Sequence, residues 1–254
     1  MLFLIGTGLS REGISVDGVS AAKSSTKVYA EAYTSSMNKE KTSHISRLIS
    51  KEVVMLKRKD LEENASRIVG ESKDSDISVL TGGDPLIATT HKILFIEAKK
   101  QGAKVRIIYS SSVFTAAIGR SGLDFYRFGA VCTIPRWTDK YKPVSFYETI
   151  EKNHSKNNHS LVLLDYNEES GNSISIKSAL EILEKAEAHY GKGIISSSSN
   201  ILVLLSLGTE DEKAESMKVS EAMSIEQNGM ACLIIPAAIT DIERETMESM
   251  KGVL

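Results

Sequence analysis

Short apolar runs alternate with amphipathic and polar segments along the first half of the chain. Runs of four to seven residues predict buried strands, and the segments between them have helical periodicity. The predicted strands cover residues 2–5, 27–33, 53–56, 77–80 and 104–109, and the predicted helices cover residues 16–23, 44–50, 60–69 and 85–101. This alternation predicts a mainly parallel sheet that is covered on both faces and binds ligands at the carboxyl ends of its strands.

The second half of the chain again has an α/β pattern. Its predicted strands cover residues 131–134, 161–165, 201–207 and 231–235, and its predicted helices cover residues 145–153, 178–190 and about the last ten residues. Hairpin or mixed pairing is expected in this half. A small polar stretch at residues 109–113 separates the two halves. We therefore predict two α/β domains, residues 1–110 and residues 113–254.

Two glycine-rich turns follow the first and fourth predicted strands. The first turn is Gly-Thr-Gly at residues 6–8, and the second is Gly-Gly-Asp-Pro at residues 82–85. The glycines of the second turn allow positive φ and close approach of the backbone to a ligand. Asp84 and Pro85 have the residue types that the N-cap and first position of a helix favour. Because both turns follow parallel strands, they are predicted to lie at one edge of the sheet, as a binding site or as a plain helix cap.

The residues in these turns limit the choice of ligand. A phosphate-binding loop has Lys and Ser or Thr after its glycines, whereas here Asp84 places a carboxylate among the backbone amides. The dinucleotide-binding fingerprint has a third glycine where this chain has Arg11. A carboxylate beside open amides suits a ligand with hydroxyls or a cationic centre, such as S-adenosylmethionine. Glu31 stands near the position at which dinucleotide-binding domains have a ribose-binding acid. We nevertheless expect Glu31 to be a solvent-facing residue of a strand.

Composition narrows the function classes further. The chain has 254 residues, 41% hydrophobic and 25% charged, which is typical of a soluble globular protein. Cys132 and Cys232 are far apart and form no CxxC pattern, so neither a disulfide framework nor a zinc site is indicated, and a cytoplasmic location is expected. No apolar run approaches the ~20 residues of a membrane span. The formal charge of −2 and the pI near 6.3 argue against bulk nucleic-acid binding.

The sequence contains no pattern typical of nucleophilic or metal-dependent catalysis. It has no nucleophile elbow and no Ser-His-Asp pattern, and its histidines are scattered. His154 and His159 lie five residues apart in a polar segment, which is not a helical metal-binding spacing, so both are predicted to face solvent and no metal is expected. An enzyme without a nucleophile or a metal ion works mainly by positioning its reactants. Methyl transfer from S-adenosylmethionine fits this description, because the sulfonium group of the donor is already activated and the protein has only to align donor and acceptor.

Five segments together resemble a known family. They are FLIGTGL at residues 3–9, YAEAYTS at 29–35, LTGGDPLIATTH at 80–91, GLDFYRFG at 122–129 and LVLLD at 161–165. In this order the chain resembles the diphthine synthases, which are S-adenosylmethionine-dependent methyltransferases of the tetrapyrrole-methylase class. The resemblance implies two α/β domains with a cofactor cleft between them, usually in a homodimer. It also implies a protein substrate, translation elongation factor 2, whose 3-amino-3-carboxypropyl-histidine is methylated repeatedly on its amino group.

The resemblance also implies which residues contact S-adenosylmethionine and its product S-adenosylhomocysteine. The implied contacts are Leu9, Asp84, Ile87, Ser112, Val113, Leu164, Gly208 and Ala231. The chain departs from the family pattern at Gly82 and Ser111, where prolines are usual, and around Gly208 and Ala231, where an Arg-Ala-Gly-like turn and a His are common. No catalytic base is identified, although Glu31 and Tyr33 are candidates for the substrate side. A tetrapyrrole C-methyltransferase of the same class is the alternative.

Overall fold

The chain folds into two compact units that are both α/β in construction. The structure is a computed structural model, and it describes residues 1–31, 33, 37–167, 172–227 and 229–251. The first unit is Met1–Val113, and the second consists of Phe114–Asn167 and the chain from Asn172 onward. The predicted α/β class is thus confirmed.

The first unit contains a five-stranded, fully parallel sheet in the order β3-β2-β4-β1-β5. Its strands are β1 (Leu2–Gly6), β2 (Lys27–Glu31), β3 (Val53–Leu56), β4 (Ile77–Thr81) and β5 (Val105–Ile108). Its helices are α1 (Val16–Ser24), α2 (Lys39–Ile49), α3 (Arg58–Glu62), α4 (Ala65–Asp74) and α5 (Lys92–Gln101). Every residue of β1 and β4 is buried, as expected for central strands of a parallel sheet covered on both faces.

Alternate residues of the central strands pack into two cores on opposite faces of this sheet. Leu2 and Leu4 pack with residues of α4 and α5, whereas Phe3 and Ile5 pack with residues of α1 and α2. This is the period-2 alternation of a β-strand, so both faces must be apolar. The sheet is therefore packed on both faces, and its strands position the turns at its carboxyl edge.

The helix predicted over residues 85–101 is shorter in the structure. Helix α5 begins at Lys92, and residues 85–91 form turns and bends instead. The Asp84 carboxylate does accept a hydrogen bond from the amide of Leu86 at 2.9 Å, two residues on, but no helix follows directly from this turn. Ala88 also has φ +54°, which is not helical. The assignment of Asp84 as an N-cap is therefore wrong.

The second unit contains a five-stranded mixed sheet in the order β11-β10-β12-β7-β6. Its strands are β6 (Cys132–Ile134), β7 (Ser160–Leu164), β10 (Asn200–Leu205), β11 (Lys213–Lys218) and β12 (Ala231–Ile235), and β8 (Tyr166–Asn167) pairs with β9 (Asn172–Ser173) as a separate hairpin. Its helices are α6 (Val113–Ser121), α7 (Phe146–Ser155), α8 (Ile176–Tyr190), α9 (Val219–Ala222) and α10 (Asp241–Ser249). Strands β6 and β7 are parallel, and the other pairs of this sheet are antiparallel, which confirms the predicted mixed pairing.

His159 lies in the core of the second unit, so the prediction that it faces solvent is wrong. Its ring is fully buried, whereas His154 is exposed as predicted. Nδ1 of His159 accepts the amide of Ala237 at 3.0 Å, and Nε2 therefore carries the proton and donates to Oε1 of Glu243 at 2.9 Å. Burial lowers the pKa of His159 and outweighs the opposing effect of Glu243. The neutral imidazole thus has both nitrogens satisfied, which is a structural role.

Two properties of the described residues bear on function. Among the helices described, none has both the length and the apolar composition that a bilayer crossing requires. In the same part of the chain, no group of three or more His, Cys, Asp or Glu side chains is arranged to hold a metal ion.

Candidate active site at the carboxyl edge of the first sheet

The two glycine-rich turns pair with each other at the carboxyl edge of the first sheet. The amide of Gly83 donates to the carbonyl of Gly8 at 2.9 Å, and the amide of Gly8 donates back to the carbonyl of Gly83 at 3.2 Å. Both residues have positive φ, +66° and +71°, which glycine adopts without strain. A Cβ on Gly6 would lie 2.7 Å from the carbonyl oxygen of Gly83. The sequence therefore needs glycine here to bring the two turns together, as predicted.

Asp84 joins the second glycine turn to the segment that follows β5. Its side chain is 7% exposed, Oδ1 accepts the amide of Leu86, and Oδ2 accepts the amide of Ser110 at 3.2 Å. An ionised carboxylate has about four acceptor positions, so two remain after these bonds. Asp84 is thus a fixed negative charge between the ends of β4 and β5, with capacity for ligand donors.

The other predicted cofactor contacts of the first unit lie on the segments around the same edge. Ser112 is buried just after β5, and Val113 begins α6. Leu9 follows the first glycine turn, and its amide lies 3.4 Å from Oγ of Ser111. Ile87 projects from the segment after Asp84 with 44% of its surface exposed. A buried carboxylate beside accessible apolar side chains fits the sulfonium, hydroxyls and adenine of S-adenosylmethionine.

Lys41 is a contact with the first glycine turn that the sequence did not reveal. It lies on α2, is 4% exposed, and its ammonium donates to the carbonyl of Gly8 at 2.6 Å. Burial lowers its pKa from 10.5 to about 8. In the sequence it is one of several lysines of a polar helix, and only the packing of α2 against the sheet buries it. Lys41 therefore binds the backbone carbonyl of the residue next to Leu9, in the first glycine turn.

Replacing Lys41 with methionine tests this buried amine. The folded protein releases the Lys41 proton near pH 8 and the unfolded chain near 10.5, so the unfolded state binds more protons between these values. We expect the wild-type free energy of unfolding to rise by about 3 kcal/mol relative to Lys41→Met as the pH increases from 8 to 10.5. Urea denaturation across this range measures it. Lys39→Met, at an exposed position of the same helix, is the control, and parallel curves for wild type and Lys41→Met would contradict the assignment.

The predicted contacts of the second unit lie at one edge of its sheet. Leu164 ends β7, and Ala231 begins β12 beside Leu205, the last residue of β10. Both Leu164 and Ala231 are buried, at 5% and 8% exposure. Gly208 is exposed in the turn after β10, with φ +79°, and its amide donates to the carboxylate of Glu212 at 2.6 Å. The structure thus brings these three residues to the ends of adjacent strands.

Glu31 is buried at the carboxyl end of β2, so the prediction that it faces solvent is wrong. Its surface is 0% exposed, and its Oε2 accepts the amide of Tyr33 at 3.2 Å. His91, also buried, approaches Glu31 with 3.8 Å between Nε2 and Oε1. Tyr33 is buried beside them, and its hydroxyl lies 3.5 Å from Oγ1 of Thr90. Residues 32, 34 and 35 of the predicted motif lie outside the described residues.

The chain is similar to known proteins over nearly its whole length. The profile of the tetrapyrrole (corrin/porphyrin) methylases matches residues 1–222. Diphthine synthase of Methanothermobacter thermautotrophicus is 35% identical over 254 residues, covering 99% of this chain and 96% of that protein, and diphthine synthase of Methanocaldococcus jannaschii is 33% identical, covering 98% of both. A crystal structure of diphthine synthase superimposes with a TM-score of 0.87 at 28% identity, covering 98% of this chain and 95% of that one.

The chain belongs to the tetrapyrrole methylase family, within its diphthine synthase group. It is accordingly an S-adenosylmethionine-dependent methyltransferase.

Proposed function

We propose that this protein acts as a diphthine synthase. It would methylate, repeatedly, the amino group of the 3-amino-3-carboxypropyl-histidine of translation elongation factor 2, a step of diphthamide biosynthesis. The observation that carries the proposal is similarity to diphthine synthases over nearly the whole chain, combined with paired glycine turns around a buried carboxylate. A tetrapyrrole C-methyltransferase is the less favoured alternative, because the relatives named above are diphthine synthases.

The cofactor is proposed to lie in a cleft between two domains, residues 1–110 and 113–254. In the first domain Leu9, Asp84 and Ile87 would hold it, together with Ser112 and Val113. The clustering of these residues at one edge of the parallel sheet supports this assignment, since ligands of such sheets bind at the carboxyl ends of the strands. Leu164, Gly208 and Ala231 are the proposed contacts from the second domain. They are supported by their common position at one edge of its sheet.

The residues of the first domain suit a reaction that depends on positioning. When bound, S-adenosylmethionine supplies an electrophilic methyl group on a sulfonium sulfur. Asp84 would bind and orient the charged donor, and the apolar Leu9 and Ile87 would exclude water from it. The acceptor amine must be neutral to react. With a pKa of about 8 to 10, its deprotonation costs on the order of 1.4 to 4 kcal/mol at pH 7.

The biological setting is proposed from the same family membership. We propose a homodimer in the cytoplasm, with the elongation factor as protein partner and with no nucleic-acid partner. The formal charge of −2 and the pI near 6.3 support the absence of a nucleic-acid partner, since proteins that bind nucleic acids usually carry a basic surface.

Methylation of the elongation factor is the direct test. Purified protein is incubated with labelled S-adenosylmethionine and elongation factor 2 that carries the aminocarboxypropyl-histidine, and the modified peptide is read by mass spectrometry. We expect mass gains in steps of one methyl group on that peptide. Mild alkaline hydrolysis then distinguishes methylation of the amino group from methylation of a carboxylate, because it removes a methyl ester but leaves N-methyl groups in place.

Two controls define the meaning of the result. Elongation factor without the aminocarboxypropyl group should gain no methyl group. A precorrin or uroporphyrinogen substrate, tested in parallel, should also remain unmodified. Methylation of the tetrapyrrole together with an unmodified elongation factor peptide would overturn the proposal and support the alternative.

A further inference from the structure

The hydrogen bonds of His91 fix which of its ring nitrogens carries a proton. Nδ1 lies 3.0 Å from the backbone carbonyl oxygen of Pro85 and 3.3 Å from Oγ1 of Thr81. A carbonyl oxygen only accepts hydrogen bonds, so Nδ1 must be the donor. In a neutral imidazole Nε2 is then unprotonated and can only accept.

Nε2 of His91 has no donor to accept from. Among the buried side-chain nitrogen and oxygen atoms of the described residues, it is the one without a hydrogen-bond partner. Oε1 of Glu31 lies 3.8 Å from it, and both side chains are at most 1% exposed. A carboxylate oxygen and an unprotonated ring nitrogen are both acceptors. The pair therefore has a place for one proton between its two side chains.

The second buried His–Glu pair of this protein shows what a purely structural pair looks like. Nδ1 of His159 accepts a hydrogen bond from the amide of Ala237, and Nε2 donates one to Glu243 at 2.9 Å. Both nitrogens of the neutral ring therefore have a hydrogen-bond partner. Neutral His91 has the opposite tautomer, and its Nε2 lies 3.8 Å from Oε1 of Glu31. Among the described residues, the ring nitrogen that lacks a hydrogen-bond partner thus lies at the edge that carries the proposed cofactor contacts.

The sheet order places this pair beside the proposed cofactor site. At the carboxyl edge, Glu31 ends β2, Asp84 follows β4, Gly8 follows β1 and Ser112 follows β5, and the strands lie in the order β2-β4-β1-β5. The cofactor contacts occupy the last three positions. The Glu31–His91 pair occupies the first, which is the side left for the methyl acceptor.

We infer that Glu31 and His91 form the proton-accepting pair of the methyl-transfer reaction. This inference rests on the proposed function. The acceptor ammonium loses one proton to Nε2 of His91, and Glu31 stabilises the imidazolium that forms. The freed amine nitrogen bonds to the methyl carbon while the carbon–sulfur bond breaks, its electron pair remaining on sulfur as S-adenosylhomocysteine. The imidazolium then releases its proton to water before the next transfer.

The surroundings of the pair suit proton exchange with the site. His91 follows the exposed Thr90, so the buried ring lies one residue from the surface. Two more ionisable side chains lie on this side. Tyr33 has its hydroxyl beside Thr90, and Arg58 lies over the Tyr33 ring at 5.2 Å from its centroid.

Two isosteric variants test the pair. His91→Asn keeps a donor in place of Nδ1 for the Pro85 carbonyl but removes Nε2, and Glu31→Gln keeps an acceptor for the Tyr33 amide but removes the charge. In single-turnover assays at pH 7 we expect each to slow methyl transfer about 100-fold, at the lower end of general-base effects, with little change in cofactor affinity by calorimetry. The deficit should shrink as the pH rises to about 9.5, because the amine then deprotonates in solution. His154→Asn, at an exposed position of the second unit, is the control.

A second readout is independent of activity. In protein labelled with ¹⁵N-histidine, NMR reports the tautomer and protonation of each ring. We expect the ring nitrogens of His91 in neutral wild-type protein to show a protonated Nδ1 and an unprotonated Nε2, and the Nε2 signal to change in Glu31→Gln, while the signals of His159 stay unchanged.

The outcomes separate this inference from the proposed function. Variants that are less stable but transfer methyl groups at the wild-type rate and with the wild-type pH profile would overturn the pair, and so would an Nε2 signal of His91 that is identical in wild type and Glu31→Gln. Wild-type protein that leaves the elongation factor unmodified would overturn the proposed function instead. In that case the NMR comparison still decides whether Nε2 of His91 interacts with Glu31.

Discussion

Replacing Glu243 with glutamine is expected to lower the free energy of unfolding of the second unit by about 3 to 5 kcal/mol, as for other buried ion pairs that lose one partner. Glu243 is 3% exposed and receives hydrogen bonds from Arg127, from His159 and from the backbone amides of Asp124 and Thr240. A glutamine would direct its NH₂ group at some of these donors. The substitution therefore removes both the negative charge of Glu243 and some of the hydrogen bonds that its carboxylate accepts.

The pH dependence of stability follows from the same carboxylate. Burial opposes ionisation of Glu243, but the hydrogen bonds from Thr240, His159 and Asp124 outweigh it and lower the pKa from 4.5 to about 2. Since the folded-state pKa is depressed, the stabilisation is complete above pH 4.5 and is lost as the pH falls toward 2. It amounts to about 3 kcal/mol at neutral pH, in agreement with the expected loss.

Urea denaturation at pH 7, followed by Trp fluorescence, measures this effect. Trp137 is the single Trp of the chain and packs against the core of the second unit, so it reports on the unit that contains Glu243. Glu245→Gln, two residues further along α10 and exposed, is the matched control and should change stability by less than ~0.5 kcal/mol. Equal stability of the two variants would refute the role given to Glu243.

Replacing Asp84 with asparagine is expected to weaken S-adenosylmethionine binding by about tenfold to a hundredfold. An ionised carboxylate near a cationic sulfonium contributes roughly 1 to 4 kcal/mol, and each 1.4 kcal/mol is a factor of ten in affinity. Asparagine keeps an oxygen that can accept the Leu86 amide, so the turn after Gly83 is preserved. The change therefore tests the charge, whereas Asp84→Ala would remove both the charge and the two backbone hydrogen bonds.

Calorimetry with two ligands identifies what Asp84 contacts. S-adenosylhomocysteine has the same hydroxyls as S-adenosylmethionine but an uncharged sulfur. A larger loss of affinity for S-adenosylmethionine assigns Asp84 to the sulfonium, and equal losses assign it to the ribose hydroxyls. Asp74→Ala, at an exposed position near the end of α4, is the control. Unchanged affinity for both ligands in Asp84→Asn would remove Asp84 from the site.

Elements with strong local signals were predicted well, and elements without them were missed. Strands β1 and β4 are continuous apolar runs because both of their faces are buried. Strand β11, Lys213–Lys218, was missed because an edge strand with mostly exposed residues needs neither an apolar run nor regular alternation. Its backbone pairing with β10 is what makes it a strand.

The candidate site divides in the same way. The sequence by itself determined the two glycine turns and their common edge, because parallel strands place their carboxyl ends together and the turns need residues that tolerate positive φ. It also determined the α/β class and, through its motifs, the family. These properties are local in the chain or follow from the order of its elements.

Only the tertiary structure decided what the polar side chains do. Asp84 has the residue type of a helix cap, but the amide of Ser110, 26 residues away, also binds its carboxylate. Glu31 and His159 look like solvent-facing residues in the sequence and are fully buried in the fold. The physical reason is that a buried polar group is stabilised by partners that are distant in sequence. Which partners it meets depends on packing that no local pattern encodes.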